Sequence, residues 1–210
     1  MNLCWYKSNE MEEMICKKYR DNGIFYPSDL EIDRVATIYR ADVATHKKET
    51  KTYWEDDFAV IYLNAFLNEL KKREDFFHEI SHLILHIGNQ YRMPELYMKM
   101  QEDQADQCQL YCAMPYFMLH DYKYIENKTT YIDVLSKEFR LPIQFVQKRI
   151  NQIERRILQA KLDEEFRSEM TPSPIEYDYS PETKRILAQL HRQIQSSRER
   201  KRNGKVQSRI

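Results

Sequence analysis

His78, Glu79 and His82 form an HExxH sequence, and Glu102 and Asp106 follow on the next stretch of chain. On an α-helix, residues four apart lie on one face, so His78 and His82 aim two imidazoles at a common point. Glu79 stands beside them, where its carboxylate can take a proton from an attacking water. Catalytic zinc usually takes three protein ligands and keeps a fourth position open. Glu102 is the natural third ligand. The expectation is one Zn2+ held by His78, His82 and Glu102, with Glu79 as the general base.

HExxH by itself also occurs in helices that bind no metal. Its surroundings argue otherwise here. Phe76-Phe77 and Leu83-Ile84-Leu85 make the helix apolar, and a Glu buried in such a helix needs a partner or a proton. A metal site removes that difficulty. A second helical run, Met100 to Met118, carries Glu102, Ala105, Asp106 and Gln109 at helical spacing on one side. The small Ala105 lets the two helices approach. Asp106 is then placed to accept a hydrogen bond from the second ring nitrogen of a ligating histidine, fixing its tautomer. His86 continues the His78–His82 face one turn further and reads as a supporting or structural residue behind the ligands. For the oxyanion of a hydrolysed amide the sequence offers His46, His120 and fifteen tyrosines, without choosing among them.

The order Phe76-Phe77-His78-Glu79-Ile80-Ser81-His82-Leu83-Ile84-Leu85-His86, then Glu102-Asp103-Gln104-Ala105-Asp106, then Ala113-Met114-Pro115 resembles the ImmA/IrrE-type metallopeptidases. Their pattern is HELGHxxLH, then ExxAN, then a helix ending in LMP. Ser81 stands where that family usually has Gly, Asp106 where Asn is common, and Cys108-Gln109 where Phe-Ala is expected. The resemblance spans roughly residues 10 to 155 and rests on motif order. It implies a zinc endopeptidase that cuts helix-turn-helix repressors, often of prophages or integrative elements, after a DNA-damage or signalling cue. It also implies a His at the position of His86 and a helix-turn-helix-like segment near residues 131–150.

These groups need elements to carry them. A helix is expected over Asn9–Asp21, capped by Ser8 and ended by Asn22-Gly23, and a short helix opening at Ser28. Strands are expected over Ala41–Tyr53 and Phe58–Asn64, the second apolar throughout as in a buried strand. The HExxH helix then covers about Glu69 to Ile87, and the Glu102 helix about Glu95 to Ala113, stopping before Pro115. Two short helices broken by Arg140-Leu141-Pro142 follow, then a long charged helix from Ile150 to Glu169. Thr171-Pro172-Ser173-Pro174 reads as a linker, and Ser180-Pro181-Glu182 starts a last amphipathic helix with Ile186, Leu187, Leu190 and Ile194 on one side. The fold class is α+β and mostly helical: a minimal zincin-like core whose small sheet precedes the HExxH helix, with a C-terminal helical extension. A sheet edge beside that helix can pair with an extended peptide. The expected organisation is a metallopeptidase core at 1–125, a helix-turn-helix-like segment packed on it at 126–170, and a linker, amphipathic helix and basic tail at 171–210.

Composition narrows the classes. No run of 18 apolar residues and no apolar leader segment occurs, so the expectation is a cytoplasmic protein with no membrane contact. Four scattered cysteines do not make a disulfide scaffold, and Cys108 and Cys112 read as small core residues. Three glycines in 210 residues leave no glycine-rich phosphate loop. The formal charge is zero overall, but Arg192 to Ile210 holds seven Lys or Arg against Glu199, a balance of +6 that leaves −6 on the rest. Such a tail suits contact with an acidic partner or a solvated terminus. Direct DNA contact by residues 131–150 or the tail is not favoured: Gln144, Gln147 and Lys148 make no dense basic face, and the tail has no aromatic residues to stack on bases. The function expected is a zinc endopeptidase acting on a helix-turn-helix repressor. The competing class is a non-cleaving anti-repressor with a structural or degenerate metal site, in which Glu79 would not be required.

Overall fold

The computed structural model describes residues 3–55, 58–85, 94–170 and 179–207, the last from 195 on by backbone alone. The chain divides into two compact units, Met1–Glu165 and Phe166–Ile210. The first unit is α+β and mostly helical.

It opens with α1 (Glu10–Asp21), capped by Asn9, whose side chain accepts from the Glu12 amide at 2.8 Å. The expected cap, Ser8, instead gives its hydroxyl to the Glu13 carboxylate. Gly23, with φ +76°, turns the chain out of α1. Where a helix from Ser28 is expected, Pro27–Asp29 forms a single tight turn, and α2 (Ile32–Ile38) starts later. The Asp29 carboxylate accepts from the Phe25 and Tyr26 amides, each at 2.9 Å, which favours the turn over helix.

The stretch expected as one strand over Ala41–Tyr53 is two, β1 (Ala41–His46) and β2 (Lys51–Glu55), with a turn held by a 2.8 Å contact of the His46 ring with the Glu49 carbonyl. β3 (Phe58–Asn64) lies between them, parallel to β1 and antiparallel to β2. Alternation along β3 buries Ala59, Ile61 and Leu63 on the core side and leaves Phe58, Val60 and Tyr62 on the other.

Two helices then pack together. α3 (Glu69–Leu85) starts at Asn68, whose side chain accepts from the Lys71 amide at 2.9 Å, and α4 (Glu95–Ala113) ends ahead of Pro115. Phe76, Phe77 and Ile80 of α3 and Ala105, Cys108 and Cys112 of α4 are fully buried between the elements. Buried Arg73 ties α3 to its surroundings through the Phe139 carbonyl at 2.8 Å and the Leu30 carbonyl at 2.5 Å.

α5 (Lys128–Phe139) ends with Arg140 in the left-handed region, and α6 (Ile143–Met170) follows after Pro142. The second short helix and the long charged helix expected separately are therefore one helix of 28 residues. Nothing in the sequence at Ile150 breaks the hydrogen-bond ladder, whereas Pro142 suits a position just before a helix start. Leu135, Phe139, Val146, Ile150 and Ile153 of this pair lie in the same core as the sheet and α3. α6 also closes a buried polar cluster on α1: the Glu12 carboxylate receives Arg149, Arg156 at 3.0 Å and the Tyr6 hydroxyl at 2.6 Å.

In the second unit, α7 (Pro181–Gln207) follows Ser180, and its Ile186, Leu190 and Ile194 are exposed. The linker expected at 171–174 lies outside the described residues. No helix among the described residues is long and apolar enough to cross a membrane.

Candidate metal centre

α3 presents His78 and His82 one turn apart, and their Nε2 atoms lie 3.1 Å from each other. α4 crosses close enough, at buried Ala105, to bring the Glu102 Oε2 within 3.2 Å of His78 Nε2 and 3.5 Å of His82 Nε2. Among the described residues these three are the group of His, Cys, Asp or Glu side chains that could share an ion. The His82 side chain is 11 % exposed and that of Glu102 51 % exposed, so the cluster is walled by the protein on one side and open on the other.

The donor set fits zinc. Ligands at about 2.0–2.1 Å in a tetrahedron stand about 3.3–3.4 Å from one another, and the three observed separations bracket that value. The chemistry fits as well. Neutral imidazole offers one lone pair and a carboxylate only acceptors, so at these separations a proton or a cation must sit among the three atoms. Two nitrogens and one oxygen are a common zinc set, and three ligands leave a position for water or substrate.

Glu79 is placed by the sheet. Thr52 of β2 faces inward and donates its hydroxyl to Glu79 Oε2 at 2.6 Å. Burial pushes the Glu79 carboxyl above its ordinary range, while the Thr52 hydrogen bond and the neighbouring His78 pull it partly back. A raised carboxylate that is still held by a donor suits proton acceptance. Sequence reasoning missed Thr52. The signal available for it is the period-two alternation that sets Thr52 on the opposite face from Tyr53, once β2 is known to lie beside α3.

Asp106 lies one turn beyond Glu102, with its Oδ1 3.6 Å from His78 Nδ1. That is the ring nitrogen expected for it, but the separation is longer than a hydrogen bond. The other Asp106 oxygen receives Lys148 of α6 at 3.1 Å. Lys148, read from sequence only as a possible DNA contact, thus reaches the edge of the metal cluster. Gln109 lies on the same side of α4 and donates to the Glu74 carbonyl at 2.7 Å, fastening α4 to α3. His86 lies outside the described residues. Of the two histidines weighed for an oxyanion, His46 is engaged with Glu49 and packs on the Tyr62 ring at 5.3 Å, on the sheet face turned away from α3.

Cys108 and Cys112 are buried with their sulfurs 3.9 Å apart and belong to the core packing.

Comparison with known proteins supports the motif reading. The chain is 27 % identical over 150 residues to the phage-like element PBSX protein XkdA of Bacillus subtilis (strain 168), covering 70 % of this chain and 75 % of that protein. Residues 35–151 match the Peptidase M78 family, described as the IrrE N-terminal-like domain, and that stretch runs from α2 through the sheet, α3 and α4 into α6. With more than half of its length matched, and with the HExxH helix inside the matched stretch, the chain belongs to the Peptidase M78, IrrE N-terminal-like family of metallopeptidases.

Proposed function

We propose that this protein is a zinc-dependent endopeptidase that cleaves a helix-turn-helix transcriptional repressor of a prophage or integrative element and so derepresses its operon. The observation that carries the reading is the triangle of His78, His82 and Glu102, with Glu79 on the next residue of the same helix and held by Thr52. The repressor as substrate rests on the resemblance in motif order and on the phage-like element named for the related XkdA.

His78, His82 and Glu102 would hold the zinc, which when bound supplies Lewis-acid polarisation and lowers the pKa of water to about 7. Glu79 takes the proton of the attacking water and delivers it to the leaving amine. Its raised carboxyl makes it a stronger proton acceptor than an ordinary carboxylate. Thr52 keeps one Glu79 oxygen in a fixed place, so the other is free for the proton. β2 pairs with β3 along one edge only among the described residues, and an extended substrate laid on its other edge gains main-chain hydrogen bonds beside Glu79. Asp106, bridged to Lys148, stands beside His78 Nδ1 as a supporting carboxylate.

In this reading residues 1–125 are the catalytic core, 126–170 the helical segment on it, and 171–210 a partner-contacting tail, all acting in the cytoplasm where a repressor works.

Glu79→Gln is the deciding variant. Gln has nearly the same shape and cannot accept the proton, so zinc and fold are retained while the rate falls by about 10²–10⁴. Co-expression of the repressor encoded nearest the gene, followed by a blot, should give fragments with the wild type only. Equal derepression by both forms with the repressor intact would replace the peptidase by a non-cleaving antagonist.

A further inference from the structure

The face of the sheet turned away from α3 carries a cavity of about 770 Å³. Its wall is aromatic. Tyr53, 55 % exposed, and Phe58, 43 % exposed, stand on this face, while Trp54, 43 % exposed, is paired with core-side Ala59 and borders the cavity from the end of β2. The Tyr53 and Tyr62 rings meet edge to face at 5.6 Å, and the His46 ring packs on Tyr62 at 5.3 Å, so the floor is braced. Lys47 and Lys48, in the β1–β2 turn, also line it. The metal cluster and Glu79 are on the other side of the sheet, so this cavity is a separate site.

The contents of that wall select a ligand class. Exposed rings on a fixed strand surface offer stacking to a flat aromatic group. The two lysines of the lining offer a counter-charge to a phosphate. The volume falls in the range of small-molecule sites. A long polyanion suits the face less well, because Lys47, Lys48 and Lys51 are offset by Asp42 and Glu49 within the same stretch of chain. We propose that this outer sheet face is a binding site for a free nucleotide-type ligand, its ring against Tyr53 and Phe58 and its phosphate on Lys47 and Lys48, with Trp54 bordering the cavity as a reporter. The site is independent of the peptidase reading, although β2 borders both: Tyr53 faces the cavity and Thr52 faces Glu79.

The chain has two tryptophans, Trp5 and Trp54. In a Trp5→Phe background, titration of the full chain with AMP reads Trp54 alone. Saturable quenching is expected, weakened at least about tenfold by Lys47→Ala combined with Lys48→Ala, since hydrogen bonds to charged groups are worth that much. Tyr53→Ala should weaken it to a similar degree and Tyr53→Phe should restore it. These side chains are at the surface, and an unchanged melting temperature confirms that the fold is intact. No saturable change up to about 1 mM, a weak-binding limit, would overturn the site. Quenching indifferent to all three variants would place it elsewhere and overturn it too. A single-stranded oligonucleotide binding far more tightly than AMP, with a steep salt dependence, would replace the free nucleotide by a polyanion track.

Discussion

The Glu12 cluster and the His78 cluster both gather ionisable side chains where helices meet, but only the first closes on itself. Glu12 and Arg149 are fully buried, and every oxygen of Glu12 is used by Arg149, Arg156 or Tyr6. Arg149 also donates to the Met114 carbonyl at 3.1 Å and to Gln152 at 2.5 Å, and Arg156 to the Tyr111 hydroxyl at 2.5 Å. Burial alone would pull the Arg149 guanidinium down, yet Glu12 and Tyr6 outweigh it and the net shift is upward. Around His78 the arrangement is reversed. Three potential ligand atoms converge from two helices, one side of the cluster stays open, and the three could hold an ion. A structural polar cluster satisfies its members internally. A ligand site holds its members in place from behind and leaves their reactive atoms facing one another.

The contrast can be broken first at Arg149. Arg149→Ala would leave the Glu12 carboxylate buried with fewer donors, and removal of one partner of a buried pair costs about 3–5 kcal/mol. Urea denaturation should show that loss, while the folded fraction keeps its metal stoichiometry. A cost below about 1 kcal/mol, as for exposed pairs, would erase the distinction between the clusters.

Asp106→Ala tests the opposite side. It sits half-exposed beside His78 Nδ1, and loss of such a supporting carboxylate typically lowers metal affinity about 10–100-fold. Competition against a chromogenic chelator measures this, and an unchanged affinity would remove Asp106 from the site. Thr52→Val sharpens the role of the sheet. The Thr52 hydrogen bond lowers the Glu79 pKa against the raising effect of burial, so its removal lets the pKa rise further. Because Glu79 must be deprotonated to act as a base, activity is lost as pH falls through that pKa. The acid limb of the pH–rate profile should therefore move to higher pH, and a stationary limb would show that Thr52 does not hold the working base. The smallest effect is expected at Lys148→Ala. Its pair with Asp106 is about half exposed on both sides, so the stability change should stay under about 1 kcal/mol in thermal or chemical unfolding. A large loss would show that α6 is fastened to α4 through this contact rather than through the Arg149 cluster.

Much of this was legible in local spacing. His78 and His82 share a helix face because they are four apart, and the 3.1 Å between their Nε2 atoms follows from that turn. The unbroken apolar run over Phe58–Asn64 marks a strand, although only one of its faces is buried, Pro115 ends the helix carrying Glu102, and Pro142 precedes the start of α6. Local rules were ambiguous where two residues could do the same work. Ser8 and Asn9 are both good caps, and the backbone chose Asn9. Ala41–Tyr53 has strand-forming residues throughout, yet the chain turns after His46 so that β3 can lie between β1 and β2.

What the sequence by itself determined was the set of groups that repeat on one element: the two imidazoles and their neighbouring carboxylate on α3, and Glu102, Ala105 and Asp106 on one side of α4. Helical and strand periodicities are properties of the backbone, and they survive in a linear reading. Tertiary structure alone decided which distant partners complete them. Thr52 meets Glu79 from 27 positions away, Lys148 meets Asp106 from 42, and Arg149 meets Glu12 from 137. No spacing rule reaches that far, because such pairs are set by how burial of the shared apolar core orients whole elements against one another, and only then do their polar side chains find each other.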